Sequence, residues 1–182
     1  MHHSLRFYSI HREGVLRFYM FGAQCTRLPL IGKLVKWVAN AYGRNMEGGY
    51  VLTLEEAEAI VDSAEGVGVG PCTCRTVFHN CDNPVDVEIL IGPTRHIFIE
   101  HLPGDSREIS REEAKAILRD CHQRGLIHTI IKCRNHFYAI CNCCTCCCVP
   151  LRLKKEYGIG NALVRHPNIV EEFQEYQRSC QD

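Results

Sequence analysis

The stretch Cys141-Asn142-Cys143-Cys144-Thr145-Cys146-Cys147-Cys148 sets six thiols into eight consecutive positions, and whatever those thiols hold must shape the fold around them. Adjacent cysteines meet the Cα separation and torsion of a relaxed disulfide only with difficulty, so the run does not read as a disulfide knot. Reduced thiolates packed this tightly repel one another and oxidise readily, and a metal centre removes both problems. Within the run, Cys141/Cys144, Cys143/Cys146 and Cys144/Cys147 form three interleaved pairs, each with two residues between the partners. That spacing lets one turn of chain wrap a metal. The interleaving sends neighbouring side chains in different directions, some to one centre and some to another.

A second patch lies upstream: Gly66-Val67-Gly68-Val69-Gly70-Pro71-Cys72-Thr73-Cys74-Arg75, then His79-Asn80-Cys81-Asp82. The two patches together supply nine thiols. A cuboidal iron–sulfur cluster takes four thiolates, so nine suffice for two clusters with one left over. Cys72, Cys74 and Cys81 offer only three ligands to a first centre, and its fourth has to come from elsewhere, most simply from the downstream run. The expected metal ligands are Cys72, Cys74, Cys81, Cys143, Cys144, Cys146, Cys147 and Cys148, with Cys141 in the wider cofactor-binding set. Cys₄ zinc sites use two clean pairs separated by a spacer. The crowded run departs from that pattern, which favours iron–sulfur and leaves zinc as the alternative.

The neighbours of these thiols carry expectations of their own. The glycines before Cys72 read as a loop whose amides can approach the sulfurs and tune a bound cluster. They break the spacing of a dinucleotide fingerprint, and no helix is expected to open there. Arg75 either offsets the negative charge of a thiolate cluster or is an ordinary surface charge. His79, two residues before Cys81, is the histidine best placed as a ligand or proton donor. Cys25, Cys121 and Cys133 sit among apolar or helical residues and read as inert thiols; Cys180 reads as free.

Composition sets the outer bounds. The chain has 182 residues, enough for one ordinary domain, and its 21 basic residues balance 21 acidic ones. With a hydrophobic share of 46%, it is neither a basic nucleic-acid-binding chain nor a disordered one. No apolar run approaches the ~20 residues of a membrane-spanning helix. The start, Met1-His2-His3-Ser4-Leu5-Arg6, lacks the basic segment, apolar stretch and cleavage site of a secretory signal, so a cytoplasmic location with reduced thiols is expected. The 13 cysteines are also an odd number.

The chain reads as α+β, a single compact domain with cysteine-rich metal-binding loops. Its expected parts are an N-terminal extension with an amphipathic helix over 1–49, an iron–sulfur-binding domain over 50–165 and a helical tail over 166–182. Residues 1–24 suit strands paired around His11-Arg12-Glu13-Gly14 or short helices; periodicity does not decide. Residues 29–42 predict a helix with Leu30, Leu34, Trp37, Val38 and Ala41 near one face. Packing into the core is the ordinary use of such a face, and peripheral contact with a membrane, flanked by Arg27 and Arg44, is the other. Thr53-Leu-Glu-Glu56 and Ser110-Arg-Glu-Glu113 are capping boxes, opening helices over 54–64 and from 111 to a left-handed Gly125. Strand patterns cover 85–91, 95–101, 126–131 and 136–140, and a last helix, polar on most faces, covers 169–178.

With these motifs the chain resembles a family of iron–sulfur proteins of anaerobes, described as ferredoxin-like or 4Fe–4S-binding. The shared segments are Pro71-Cys72-Thr73-Cys74-Arg75, Cys81-Asp82-Asn83-Pro84 and Asn142-Cys143-Cys144-Thr145-Cys146-Cys147-Cys148, with Arg107–Ala114 and Gly125–His128 alongside. They cover roughly residues 50–165. Many relatives carry a further cysteine where this chain has Glu88, so the first centre either lacks a ligand, uses Glu88 oxygen or borrows a downstream thiol. Many also continue into a CxxCxxCxxxCP ferredoxin module, which this chain lacks. The resemblance implies one or two 4Fe–4S clusters in one-electron transfer in anaerobic metabolism, with a ferredoxin or oxidoreductase as redox partner. Two other readings remain: a reductase component that binds substrate at an incompletely ligated iron, and a zinc-binding interaction or regulatory module. No acid, base and nucleophile constellation stands out, which suits an electron carrier better than a stand-alone enzyme.

Overall fold

Two helices lead the chain, α1 over His3–Gln24 and α2 over Gly32–Asn45. A computed structural model describes them together with the rest of residues 3–45, 47–92, 95–101, 106–133, 136–160 and 163–180. The first stretch is therefore helical, and it bends at His11, whose φ of −109° and ψ of 16° interrupt the helix. Its inner face carries Leu16, Met20 and Ala23, all buried.

The elements that follow are β1 (Glu47–Val51), α3 (Leu54–Ser63), β2 (Val67–Pro71), α4 (Thr73–Phe78), β3 (Asp86–Ile91) and α5 (Arg95–His101). Then come β4 (Arg107–Ile109), α6 (Arg111–Gln123), β5 (Ile127–Cys133), β6 (His136–Cys143), α7 (Val149–Tyr157), β7 (Val164–Arg165) and α8 (Ile169–Ser179). One seven-stranded sheet runs β4-β2-β3-β6-β5-β1-β7, antiparallel except where β1 meets β7. The chain is α+β and forms one compact domain.

Both predicted caps are in place. At α3 the Glu56 amide donates to Thr53 Oγ1 at 3.2 Å and the Thr53 amide donates to Glu56 Oε2 at 2.8 Å. At α6 the Glu113 amide donates to Ser110 Oγ at 3.1 Å, but the Glu113 carboxylate pairs with Arg107. Gly125 has φ +72°, the left-handed conformation that ends α6. On one face of the sheet, Ile60, Val61, Ala114, Leu118, Ile169 and Phe173 pack from α3, α6 and α8 onto Val67, Ile89, Ile91 and Ile140. Each such large side chain contributes about 1.5–3 kcal/mol by leaving water. The other face takes α5 and α1.

Several expectations need correction. Arg95–His101 is a helix rather than a strand. Its Ile97 and Phe98 are both buried, against Leu90, Tyr138 and Ala139. The glycine-rich segment is strand β2 and not a loop, with its amides facing β3 and β4. Glycine belongs there because a Cβ on Gly68 would lie 2.9 Å from the Arg107 carbonyl, and one on Gly70 would lie 2.6 Å from Ser106 Oγ. A helix does open after it, α4. Cys141, Asn142 and Cys143 are not in a loop but on the end of β6. The apolar face of α2 is not core-facing: Leu30, Leu34, Trp37 and Val38 are all exposed. Among the described residues, no helix is long and apolar enough to cross a membrane.

Candidate metal centre

The two cysteine patches converge at the end of the central strands. β6 delivers Cys141 and Cys143 to one face of the sheet, since residues two apart on a strand share a face. The chain then turns through Cys144–Cys147, and Cys148 caps the N-terminus of α7. Upstream, Cys72 caps α4, Cys74 lies in its first turn, and Cys81 follows the left-handed His79 (φ +48°) that ends it.

Cys81, Cys144, Cys146 and Cys147 form a quartet whose sulfurs all lie within 4.8 Å of one another. Cys81 Sγ is 3.7 Å from Cys144 Sγ and 3.8 Å from Cys147 Sγ. The grouping differs from the expected one, in which Cys81 joined Cys72 and Cys74. Cys72 packs against Val87, Cys144 and Cys147, with Cys74 beside them, and both also line one cavity with Cys141, Cys143, Cys144 and Cys148. Every described cysteine is free of disulfide. Cys121 is fully buried and Cys180 exposed, while Cys25 is only half-buried. The side chain of Cys133 lies outside the described residues.

The quartet fits a thiophilic metal. Four thiolates at a metal–sulfur distance of about 2.3 Å, arranged as a tetrahedron, stand about 3.8 Å apart, and the two measured separations match that edge. A four-iron cube requires the same sulfurs to spread, because each then binds a different corner. Burial would raise the Cys81 thiol, but hydrogen bonds from the Asn83 amide and side chain, with those of Cys146 and Cys144, outweigh it and bring it down to about 6. Burial and the neighbouring Cys81 thiolate push Cys146 up to about 12, and burial pushes Cys147 up to about 11. A divalent ion bound here would displace the protons that the thiols still carry.

Arg75 lies beside these thiols. It is 1% exposed, so it is not a surface charge. Its guanidinium donates to the Pro84 and Asn142 carbonyls, and Nε has no hydrogen-bond partner among the described residues. Burial opposes its charge, while Cys72, Cys144 and Cys143 favour it and hold its pKa above the ordinary value. A buried guanidinium needs an anion, and thiolates are the anions here.

Asn142 ties this centre to the sheet. Its Nδ2 donates to the Val87 carbonyl at 2.7 Å, which leaves Oδ1 to accept from His128 Nδ1 at 2.6 Å. His128 is 3% exposed, stacks on His122 at 5.5 Å, and has no partner at Nε2 among the described residues. Burial lowers its pKa from the ordinary 6.5, against the bond to Asn142. A depressed folded value means this group's stabilisation is full above about 6.5 and is lost as the pH falls through the folded value. The urea midpoint of the wild type should therefore fall further than that of His128→Gln between about pH 7.5 and about pH 5.5. Equal falls would remove His128 as the cause.

Two other expected participants are placed elsewhere. His79 is exposed and outside the quartet. Glu88, opposite Cys141 on β3, gives both carboxylate oxygens to Arg12 of α1, at 2.5 and 2.6 Å. The amides that reach sulfur include those of Asn83, onto Cys81, Asn80, onto Cys147, and Val149, onto Cys74 at 3.5 Å, whereas the β2 glycines face β3 and β4. Sequence reading missed Arg12, Asn142 and His128. Asn142 lay inside the run and His128 inside the motif set, but their pairing needs the β5–β6 register.

Next to these groups, α1 and α2 border a cavity of about 680 Å³ whose lining includes Leu34 and Val38 together with Cys72, Cys74, Cys141, Cys143, Cys144 and Cys148. Fold and site together define an α+β protein with a thiolate site able to hold a metal. Searches of protein-family models, curated proteins and solved structures give no match to the chain.

Proposed function

We propose that the protein is an iron–sulfur protein of anaerobic metabolism that transfers single electrons, with Cys81, Cys144, Cys146 and Cys147 holding iron. The observation that carries this reading is the meeting of four thiols from two distant stretches beside a buried arginine. The surroundings are sulfurs and a cation, a chemistry for holding a metal rather than for moving protons on a substrate. Thiolate-bound iron supplies a reversible one-electron change of oxidation state. The chain's own groups set how easily that change occurs: Arg75 offsets the thiolate charge, and the N–H groups of Asn83 draw density from Cys81 and favour the reduced state. The 4Fe–4S form is supported by the family motifs, and the electron partner is a separate ferredoxin or oxidoreductase.

The 3.7 and 3.8 Å sulfur separations favour a second reading, one structural zinc ion in an interaction module. Anaerobic purification followed by iron, acid-labile sulfide and zinc analysis separates them. The expected result is a brown protein with equal iron and sulfide whose visible absorption bleaches with dithionite. A colourless protein with stoichiometric zinc overturns the iron reading and establishes the second.

A further inference from the structure

We propose that the outer face of α1 and α2, with the turn between them, docks on the surface of a lipid bilayer that carries anionic headgroups. The inference stands apart from the thiolate–metal reading and does not need it. Among the described residues thirteen large apolar side chains are exposed, and eleven of them belong to this one stretch, from Phe7 to Tyr42. Single exposed apolar residues are ordinary, but a concentration of this kind marks a surface that meets an apolar partner. Leu34, Trp37 and Val38 stand at the three- and four-residue spacing that gathers side chains on one side of a helix. Toward the protein α2 turns small residues instead: Gly32 and Gly43 are buried, and Ala39 packs against the cluster of Leu16, Met20 and Ala23. The helix is amphipathic in reverse, with its bulk outward. The turn before it exposes Leu30 by 94%, and α1 adds Phe18 and Phe21 on the side away from its buried Leu16 and Ala23.

Charge identifies the occupant. The chain is neutral as a whole, but residues 1–45 hold seven basic side chains and one acidic, whereas the other 137 residues hold fourteen basic and twenty acidic. Arg17, Arg27, Lys33 and Lys36 are exposed among the apolar residues of this stretch. A helix with bulky apolar groups on one face and Lys or Arg beside them lies in a bilayer interface, its apolar side among acyl chains and its cations among headgroups. Each cation near an anionic surface adds to the attraction. A second copy meeting this face across a two-fold axis would instead set those cations against their own equivalents. Trp37, the chain's one tryptophan, is 66% exposed, and its ring suits the headgroup level. Leu34, Val38 and Tyr42 also line the cavity bordered by α1 and α2, so the exposed apolar surface continues inward.

Vesicle binding tests this on the full chain as purified under anaerobic conditions. Vesicles of phosphatidylcholine alone are compared with vesicles of phosphatidylcholine and phosphatidylglycerol in equal parts, by co-sedimentation and by Trp37 fluorescence. The expected result is a blue shift of Trp37 and binding at least about tenfold tighter to the anionic vesicles, weakened by high salt. Lys33→Gln/Lys36→Gln should bind about thirtyfold more weakly, at about one factor of five per cation. Leu30→Ser/Leu34→Ser should lose at least about tenfold, on both kinds of vesicle. A wild-type chain that stays in the supernatant, or that binds neutral and anionic vesicles equally, overturns the proposal without touching the metal reading. Variants that bind as the wild type does overturn the assignment to this face. A dimer that Leu30→Ser/Leu34→Ser dissociates, with no vesicle binding, also overturns it and makes a second copy the occupant.

Discussion

Replacing Arg75 by methionine should destabilise the protein by about 3–5 kcal/mol and weaken metal binding at least about tenfold. Methionine keeps an unbranched apolar stem but removes the only charge on this side chain. The Pro84 and Asn142 carbonyls lose their donors, and each unpaired buried acceptor costs about 1–3 kcal/mol. The neighbouring thiolates lose their counter-charge at the same time. Total stability of a domain this size is about 5–15 kcal/mol, so the loss is a large share of it. Arg75→Lys should fall between, because a single ammonium keeps the charge but cannot span two carbonyls as a planar fork does. Urea denaturation at fixed metal load, with cadmium competition against a chelator, reads both effects. Wild-type stability and affinity in Arg75→Met would show that the sulfurs do not depend on this cation.

The second large effect is expected at Arg12. The Arg12–Glu88 pair is buried on both sides, with side-chain exposures of 6% and 4%, and Arg12 also lies over the Phe98 ring at 5.5 Å. Arg12→Ala strands a carboxylate in the interior beside several sulfurs, at a cost of about 3–5 kcal/mol. Arg12→Met combined with Glu88→Met should recover most of that loss, since apolar replacement of a whole buried pair is often neutral. The double variant also decides what Glu88 does. Its carboxylate is engaged with Arg12, so metal content is expected to stay at the wild-type level. A metal loss in a stable double variant would return Glu88 to the set of ligands.

These two arginines mark the boundary of what the sequence makes legible. The caps at Thr53 and Ser110 are local chemistry, readable from four residues, and both helices open where expected. The convergence of the two cysteine patches is also readable, because thiols in such density require a common partner. How they sort is not. Sorting depends on strand alternation at Cys141 and Cys143, and on the turn that follows, neither visible while the run is taken for a loop. Glycine concealed β2 because it is ordinarily a poor strand residue, and only the closeness of Arg107 and Ser106 shows why it is needed. Arg95–His101 misled in the opposite way: its β-branched and aromatic residues favour a strand, but the segment packs as a helix, with Ile97 and Phe98 against Leu90, Tyr138 and Ala139. The Arg12–Glu88 pair spans 76 positions, beyond the reach of any local pattern.

The placement of Cys143 and Cys144 has a consequence for how this segment can vary. They are joined by one peptide bond, but Cys143 is the last residue of β6, where alternation sets its direction, and Cys144 begins the turn that carries the quartet. Insertion or deletion of one residue within β6 would move Cys143 to the other face of the sheet and shift the turn that follows, whereas exchange of Thr145, whose side chain is exposed, disturbs neither. The segment is fixed in length far more strictly than in composition.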